Sequence, residues 1–137
     1  MNEFIAIRLI RFAGSILAGI VLVNFPLPQK LREREELGGV PTFLRQIFYV
    51  HWFYIVLIVA FFSALCFGFP RELAGASPLG RFLSAFMAAF WLLRILLQCL
   101  YYDREVRRAH RTLDVLYILS LVAVTGIFGW IALIPAQ

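Results

Sequence analysis

From Phe48 to Phe69 the chain reads FYVHWFYIVLIVAFFSALCFGF, a run without one formal charge, and Pro70 closes it. At 1.5 Å per residue this stretch reaches about 33 Å as a helix, enough to cross a hydrocarbon core of about 30 Å. Backbone polar groups in lipid must be satisfied within their own segment, so the run is read as a transmembrane helix. Its opening residues Phe48, Tyr49, Trp52, Phe53 and Tyr54 suit a membrane interface, where amphipathic rings collect.

Three further segments follow the same logic. Val115 to Ile134 is uncharged, begins after Asp114 and stops at Pro135. Phe82 to Tyr102 is interrupted only by Arg94 and Gln98, and Pro78 suits the first turn of that helix, where its missing N–H is not needed. Phe4 to Phe25 carries Arg8 and Arg11 in its opening turns. A signal peptide has a similar start, but Val23, Asn24, Phe25 and Pro26 offer no small-residue cleavage site. The segment is therefore read as a span whose arginines snorkel to the nearer surface.

The expected fold is all-α, a single membrane domain over residues 1–137 built as a bundle of four transmembrane helices at about 4–25, 48–69, 82–102 and 115–134. Composition agrees. Of the 137 residues 62% are hydrophobic, against roughly 45–50% in soluble proteins, so lipid must cover much of the surface. The net charge of +5 sits beside the spans rather than across a soluble face, which favours anionic headgroups over nucleic acid as its counterpart.

Between the first two spans, residues 26–47 form the sizeable loop. Lys30, Arg32, Glu33, Arg34, Glu35 and Glu36 pattern as a short amphipathic helix with Leu31 and Leu37 toward the membrane, ended by Gly38 and Gly39, and Pro41 can start the next helix. Residues 103–114 contain no glycine or proline and are expected as helix continued beyond the bilayer. These two connections share a side and hold eight basic residues: Lys30, Arg32, Arg34, Arg45, Arg104, Arg107, Arg108 and Arg111. The other side holds four, Arg8, Arg11, Arg71 and Arg81, so the positive-inside rule places the richer side in the cytoplasm and both termini outside.

Arg94 is the most informative residue for function. Placed near the middle of its span it costs roughly 2.5–3.5 kcal/mol to insert, and something must offset that. Helical spacing groups Ser84, Met87, Trp91, Arg94, Gln98, Tyr101 and Glu105 on one stripe. Trp91, Arg94, Gln98 and Tyr101 are thus candidate ligand- or partner-binding residues, the ligand being an anionic headgroup, a quinone-like carbonyl or another subunit's carboxylate; the equal alternative is that Arg94 bonds Gln98, a backbone carbonyl and water while snorkelling toward the basic side. Since every acidic residue maps to a terminus, loop or helix end, the counter-charge is expected from outside the chain.

Other candidates are weaker. His51 and His110 fall toward the same end and as a pair could ligate haem or a metal, although an interfacial ring for His51 and a side-chain partner of Asp114 for His110 describe them better. Arg104, Arg107, Arg108 and Arg111 suit anionic lipid. Cys66 and Cys99 have neither CxxC spacing nor a neighbouring histidine and read as buried small hydrophobes, too far apart in an antiparallel hairpin to bond. Gly14 with Ala18, Ser15 with Gly19, and Gly126, Gly129 and Ala132 allow close helix approach, within the bundle or to another chain.

The sequence shows no carboxylate deep in a span and no base beside a serine or threonine. The leading expectation is a non-enzymatic membrane subunit or interaction protein that binds lipid, other membrane chains or its own copies, without a cofactor. A small redox or lipid-modifying enzyme using His51, His110 and the Arg94 stripe is the first alternative. An oligomeric carrier or channel is the second.

Overall fold

A computed structural model describes residues 2–33, 35–75, 77–101, 104, 108, 111–134 and 136. Among them the chain is all-helical, and four helices are long and apolar enough to span a membrane. Helix α1 runs Glu3–Asn24, with the Asn2 side chain accepting from the Phe4 N–H at its start. Arg8 lies 4.3 Å from the centre of the Phe4 ring one turn back, so its charge is carried toward the helix start, the direction snorkelling requires.

Helix α2 spans Leu27–Glu33. The sequence pattern carries this short helix on to Glu36 and ends it at Gly38. Instead, Glu35 takes φ 58°, a left-handed conformation that a continuing helix does not tolerate, and turns follow to Gly39. Leu37 is buried in that turn and does not project from a helix face. Helix α3, Thr42–Gly68, starts directly after Pro41.

Helix α4, Pro70–Ala74, is a five-residue piece that periodicity could not show. Helix α5 runs Pro78–Leu100, with the Ser77 hydroxyl accepting from the Gly80 N–H, and helix α6 runs Arg111–Leu133. Of the expected helical extension at 103–114, residues 111–114 form the start of α6, and half of the stretch lies outside the described residues. Within it, before α6, Arg104 and Arg108 are helical and exposed.

The long helices pack as two antiparallel hairpins, α1 on α3 and α5 on α6. At one end of the first hairpin the Trp52 indole N–H donates to the Asn24 carbonyl at 2.9 Å. Toward the other end, Gly14 brings the backbones together: a Cβ there would lie 2.7 Å from the Cys66 Cβ, and the Ser63 hydroxyl donates to the Gly14 carbonyl. The hairpins meet where α1 touches α6, through α4, and through Phe62 of α3, whose ring centre is 5.3 Å from Phe90 and 6.3 Å from Trp91 on α5.

The packed core is lopsided. Its helical members run from the end that carries α4 to just past mid-helix: Ala6, Ile10, Ala13 and Leu17 on α1, Val59, Phe62 and Cys66 on α3, Met87 and Trp91 on α5, and Leu121, Val124, Phe128 and Ile131 on α6. At the opposite end, where α2 and the start of α6 lie, residues 18–24, 42–58, 92–97 and 111–120 contain no buried side chain, and Gln98 is the buried exception on α5. Inward-facing Ile20, Val21, Ile58, Ile95 and Tyr117 are only half-buried there. The two hairpins are therefore clamped at one end and loosely packed at the basic one.

Helix α4 completes the clamp. Leu73 and Ala74 are buried, the Ser84 hydroxyl donates to the Leu73 carbonyl at 3.0 Å, and the Ala136 N–H donates to the Ala74 carbonyl at 2.8 Å. Gly80 is required where α5 passes α4, because a Cβ would collide with the Glu72 carbonyl oxygen. An exposed pair between Arg71 and Glu3, 3.8 Å apart, lies on the outer surface of this end.

Candidate functional site

The polar residues of α5 are arranged by its register against α6. Pro78 to Arg94 is sixteen residue steps, about 24 Å, and Arg94 to Leu100 is six steps, about 9 Å. Arg94 therefore sits toward the basic end of the span rather than near the midplane expected from sequence. The insertion cost falls accordingly, since the penalty is greatest at the bilayer centre.

Arg94 donates through Nη1 to the Gln98 Oε1 at 3.0 Å, and Gln98 donates through Nε2 to the Asp114 Oδ1 at 2.8 Å. The Arg94 guanidinium also lies over the Tyr117 ring, 5.5 Å from its centre. Gln98 is nearly fully buried, whereas Arg94, Asp114 and Tyr117 are half-buried. An amide suits the middle position because it accepts from the cation with its oxygen and donates to the carboxylate with its nitrogen.

This corrects the expectation that the counter-charge for Arg94 must come from another molecule. The sequence assigns Asp114 to a helix end, which is where it lies, in the first turn of α6. The antiparallel register of the hairpin then sets that turn beside Gln98, one turn of α5 beyond Arg94. The chain thus supplies a carboxylate two hydrogen bonds away from the guanidinium.

The expected stripe divides. Ser84, Met87, Trp91 and Gln98 are buried as one face of α5. Tyr101 is 85% exposed at the C-cap, past the last helical turn, so it does not join the Arg94 cluster. The buried Trp91 indole N–H has no hydrogen-bond acceptor among the described residues, and Phe90 stands edge-on to the indole at 5.1 Å. Glu105 lies outside the described residues.

His51 is exposed, and its Nδ1 is 2.9 Å from the Ile47 carbonyl oxygen one turn back on α3. His110 lies outside the described residues, so the structure does not bring the pair together. Arg104, Arg108 and Arg111 are exposed, as an interaction with headgroups needs, and Arg107 is not described. Of the two thiols Cys66 is buried as expected, but Cys99 is exposed on α5 because it faces away from the stripe that meets α6.

Gly14 is used inside the bundle, whereas Gly19, Gly126 and Gly129 face open space. A feature with no sequence signal is an open groove of about 220 Å³ at the elbow of α2 and α3, lined by Pro28, Gln29, Arg32 and Tyr49. Only the fold, which brings Tyr49 of α3 near Pro28, Gln29 and Arg32 of α2, gathers these residues.

Compared with protein-family models, with curated proteins and with solved structures, the chain matches none.

Proposed function

We propose that this protein is a non-catalytic membrane bundle that works by binding within the bilayer, holding anionic lipid at its loosely packed end and presenting its apolar flank to other membrane chains. The observation that carries this reading is the lopsided core. At the α4 end, protein packs protein. At the basic end, where Gln98 is the buried exception on α5, residues 18–24, 42–58, 92–97 and 111–120 have no buried side chain, and lipid chains or neighbouring helices must supply the contacts.

Charge supports the same assignment. Lys30, Arg32, Arg104, Arg108 and Arg111 are exposed around this end. Each basic residue near an anionic leaflet contributes about 1 kcal/mol of attraction. The Arg94–Gln98–Asp114 chain, with its charges balanced internally, serves to lock α5 to α6 beneath that basic rim.

The test is the lipid retained by purified protein from bilayers of mixed acidic and zwitterionic phospholipid. Acidic lipid should be enriched around the wild type. Replacing Lys30, Arg32, Arg104, Arg108 and Arg111 together by glutamine should abolish the enrichment, and replacing Arg71 and Arg81 should not. Enrichment that survives the first set, or that depends equally on the second, refutes the reading.

A further inference from the structure

We propose that the groove at the elbow of α2 and α3, lined by Pro28, Gln29, Arg32 and Tyr49, is a binding site for the phosphate of an anionic phospholipid. The inference deepens the lipid-binding reading and rests on it. It assigns a particular place and a particular donor set to an attraction that the basic rim alone would spread over the whole surface.

Depth is the first argument. Tyr49 to Gly68 is nineteen residue steps, about 28 Å, close to the thickness of the hydrocarbon core. With the Gly68 end of α3 at one boundary, Tyr49 stands at the other, the level of the phosphates. Trp52 and Phe25, whose ring centres are 6.1 Å apart, and the exposed Tyr54 mark the same level with the aromatic residues that prefer it.

Chemistry is the second. The Arg32 guanidinium, the Gln29 amide and the Tyr49 hydroxyl offer three kinds of donor around one open space, and arginine can grip two phosphate oxygens at once. Gln29 donates to the Glu33 carboxylate at 3.2 Å, which fixes the amide and brings one negative charge near the groove. Lys30 and Arg32 on α2 and Arg45 on α3 stand against Glu33, Glu35 and Glu36 nearby, so the attraction comes from the Arg32 guanidinium lining the groove and not from a local excess of charge.

The surroundings select a lipid over a free anion. Below Tyr49, at intervals of four residues along α3, Phe53, Leu57 and Phe61 are each about half exposed. Tyr49 to Phe61 measures about 18 Å, longer than the roughly 15 Å that one leaflet contributes to the core. A headgroup in the groove therefore has an apolar track for its acyl chain directly beneath it.

The experiment is native mass spectrometry of the full chain released from mixed micelles of phosphatidylglycerol and phosphatidylcholine. The wild type should retain phosphatidylglycerol in preference. Arg32→Gln should weaken that retention about tenfold, Tyr49→Phe by a smaller factor, and Arg32→Lys should restore it in part because the charge returns without the fork. Arg71→Gln with Arg81→Gln, at the opposite end of the bundle, should leave retention unchanged, and Arg104→Gln with Arg108→Gln should lower it by a smaller factor than Arg32→Gln.

Undiminished retention in Arg32→Gln overturns the site. If retention is lost in the Arg104 and Arg108 variant instead, the groove is wrong and the broader lipid-binding reading stands; if no variant changes it, both fail. Full competition by glycerol phosphate at the concentration of the lipid would assign the groove to a soluble anion and overturn the proposal.

Discussion

Replacing Gln98 with leucine isolates what the polar chain contributes. Leucine nearly matches the volume of glutamine, so the substitution removes the 3.0 Å bond to Arg94 and the 2.8 Å bond to Asp114 without opening a large cavity. In soluble proteins a hydrogen bond to a charged group contributes about 1.5–3 kcal/mol. Within membranes side-chain bonds average about 0.6 and reach about 1.7 kcal/mol, because the unfolded helices also find partners. Two such bonds set the expected loss for Gln98→Leu at about 1–3 kcal/mol. The assay is reversible unfolding in mixed micelles, followed by far-ultraviolet circular dichroism as the denaturing detergent is raised. Asp114→Asn keeps an oxygen that accepts from Gln98 and should cost less than Asp114→Leu, which should cost at least as much as the lost bond. Combined, Gln98→Leu and Asp114→Leu should destabilise by less than their sum, since they remove one bond between them. Wild-type stability for Gln98→Leu, or strict additivity of the pair, would refute the idea that this amide couples α5 to α6.

Two other expectations are simpler to check. Gly14→Ala should destabilise by about 1–3 kcal/mol in the same assay, because its Cβ meets the Cys66 Cβ at 2.7 Å, while Gly19→Ala, with open space around it, should be neutral or mildly stabilising. For topology, in a background of Cys66→Ala and Cys99→Ala, a cysteine at Glu36 should be shielded from an impermeant thiol reagent in intact cells and one at Ser77 should react, as the excess of basic residues beside α2 requires; the reverse pattern would invert the orientation.

The four long helices are legible because a bilayer imposes a minimum length and makes charge within it costly, two constraints a single sequence displays directly. The short elements are not. Pro70–Ala74 is one turn, too brief for any periodicity, and it is held by bonds from Ser84 and Ala136 that lie far along the chain. The link from Gln98 to Asp114 escapes a sequence reading because it depends on the register between two helices, which spacing within one helix does not reveal. That same one-helix spacing places Tyr101 with Arg94, but α5 ends before it. The concentration of the core at the α4 end is also hidden, since Phe53 and Phe62 are alike in sequence and differ only in what the fold sets against them: Phe62 meets Phe90 and Trp91, and Phe53 is half exposed.

Helix α4 also has a consequence for the order in which the molecule is completed during synthesis. Its residues leave the ribosome directly after α3, when the α1–α3 hairpin is whole. The hydroxyl that meets the Leu73 carbonyl comes eleven residues later on α5, and the amide that meets the Ala74 carbonyl follows α6. The early hairpin must therefore wait with two backbone acceptors on water or the insertion machinery until the second hairpin arrives. Closure of α4 thus draws on both later helices, one bond becoming available with α5 and the other only once α6 has been made.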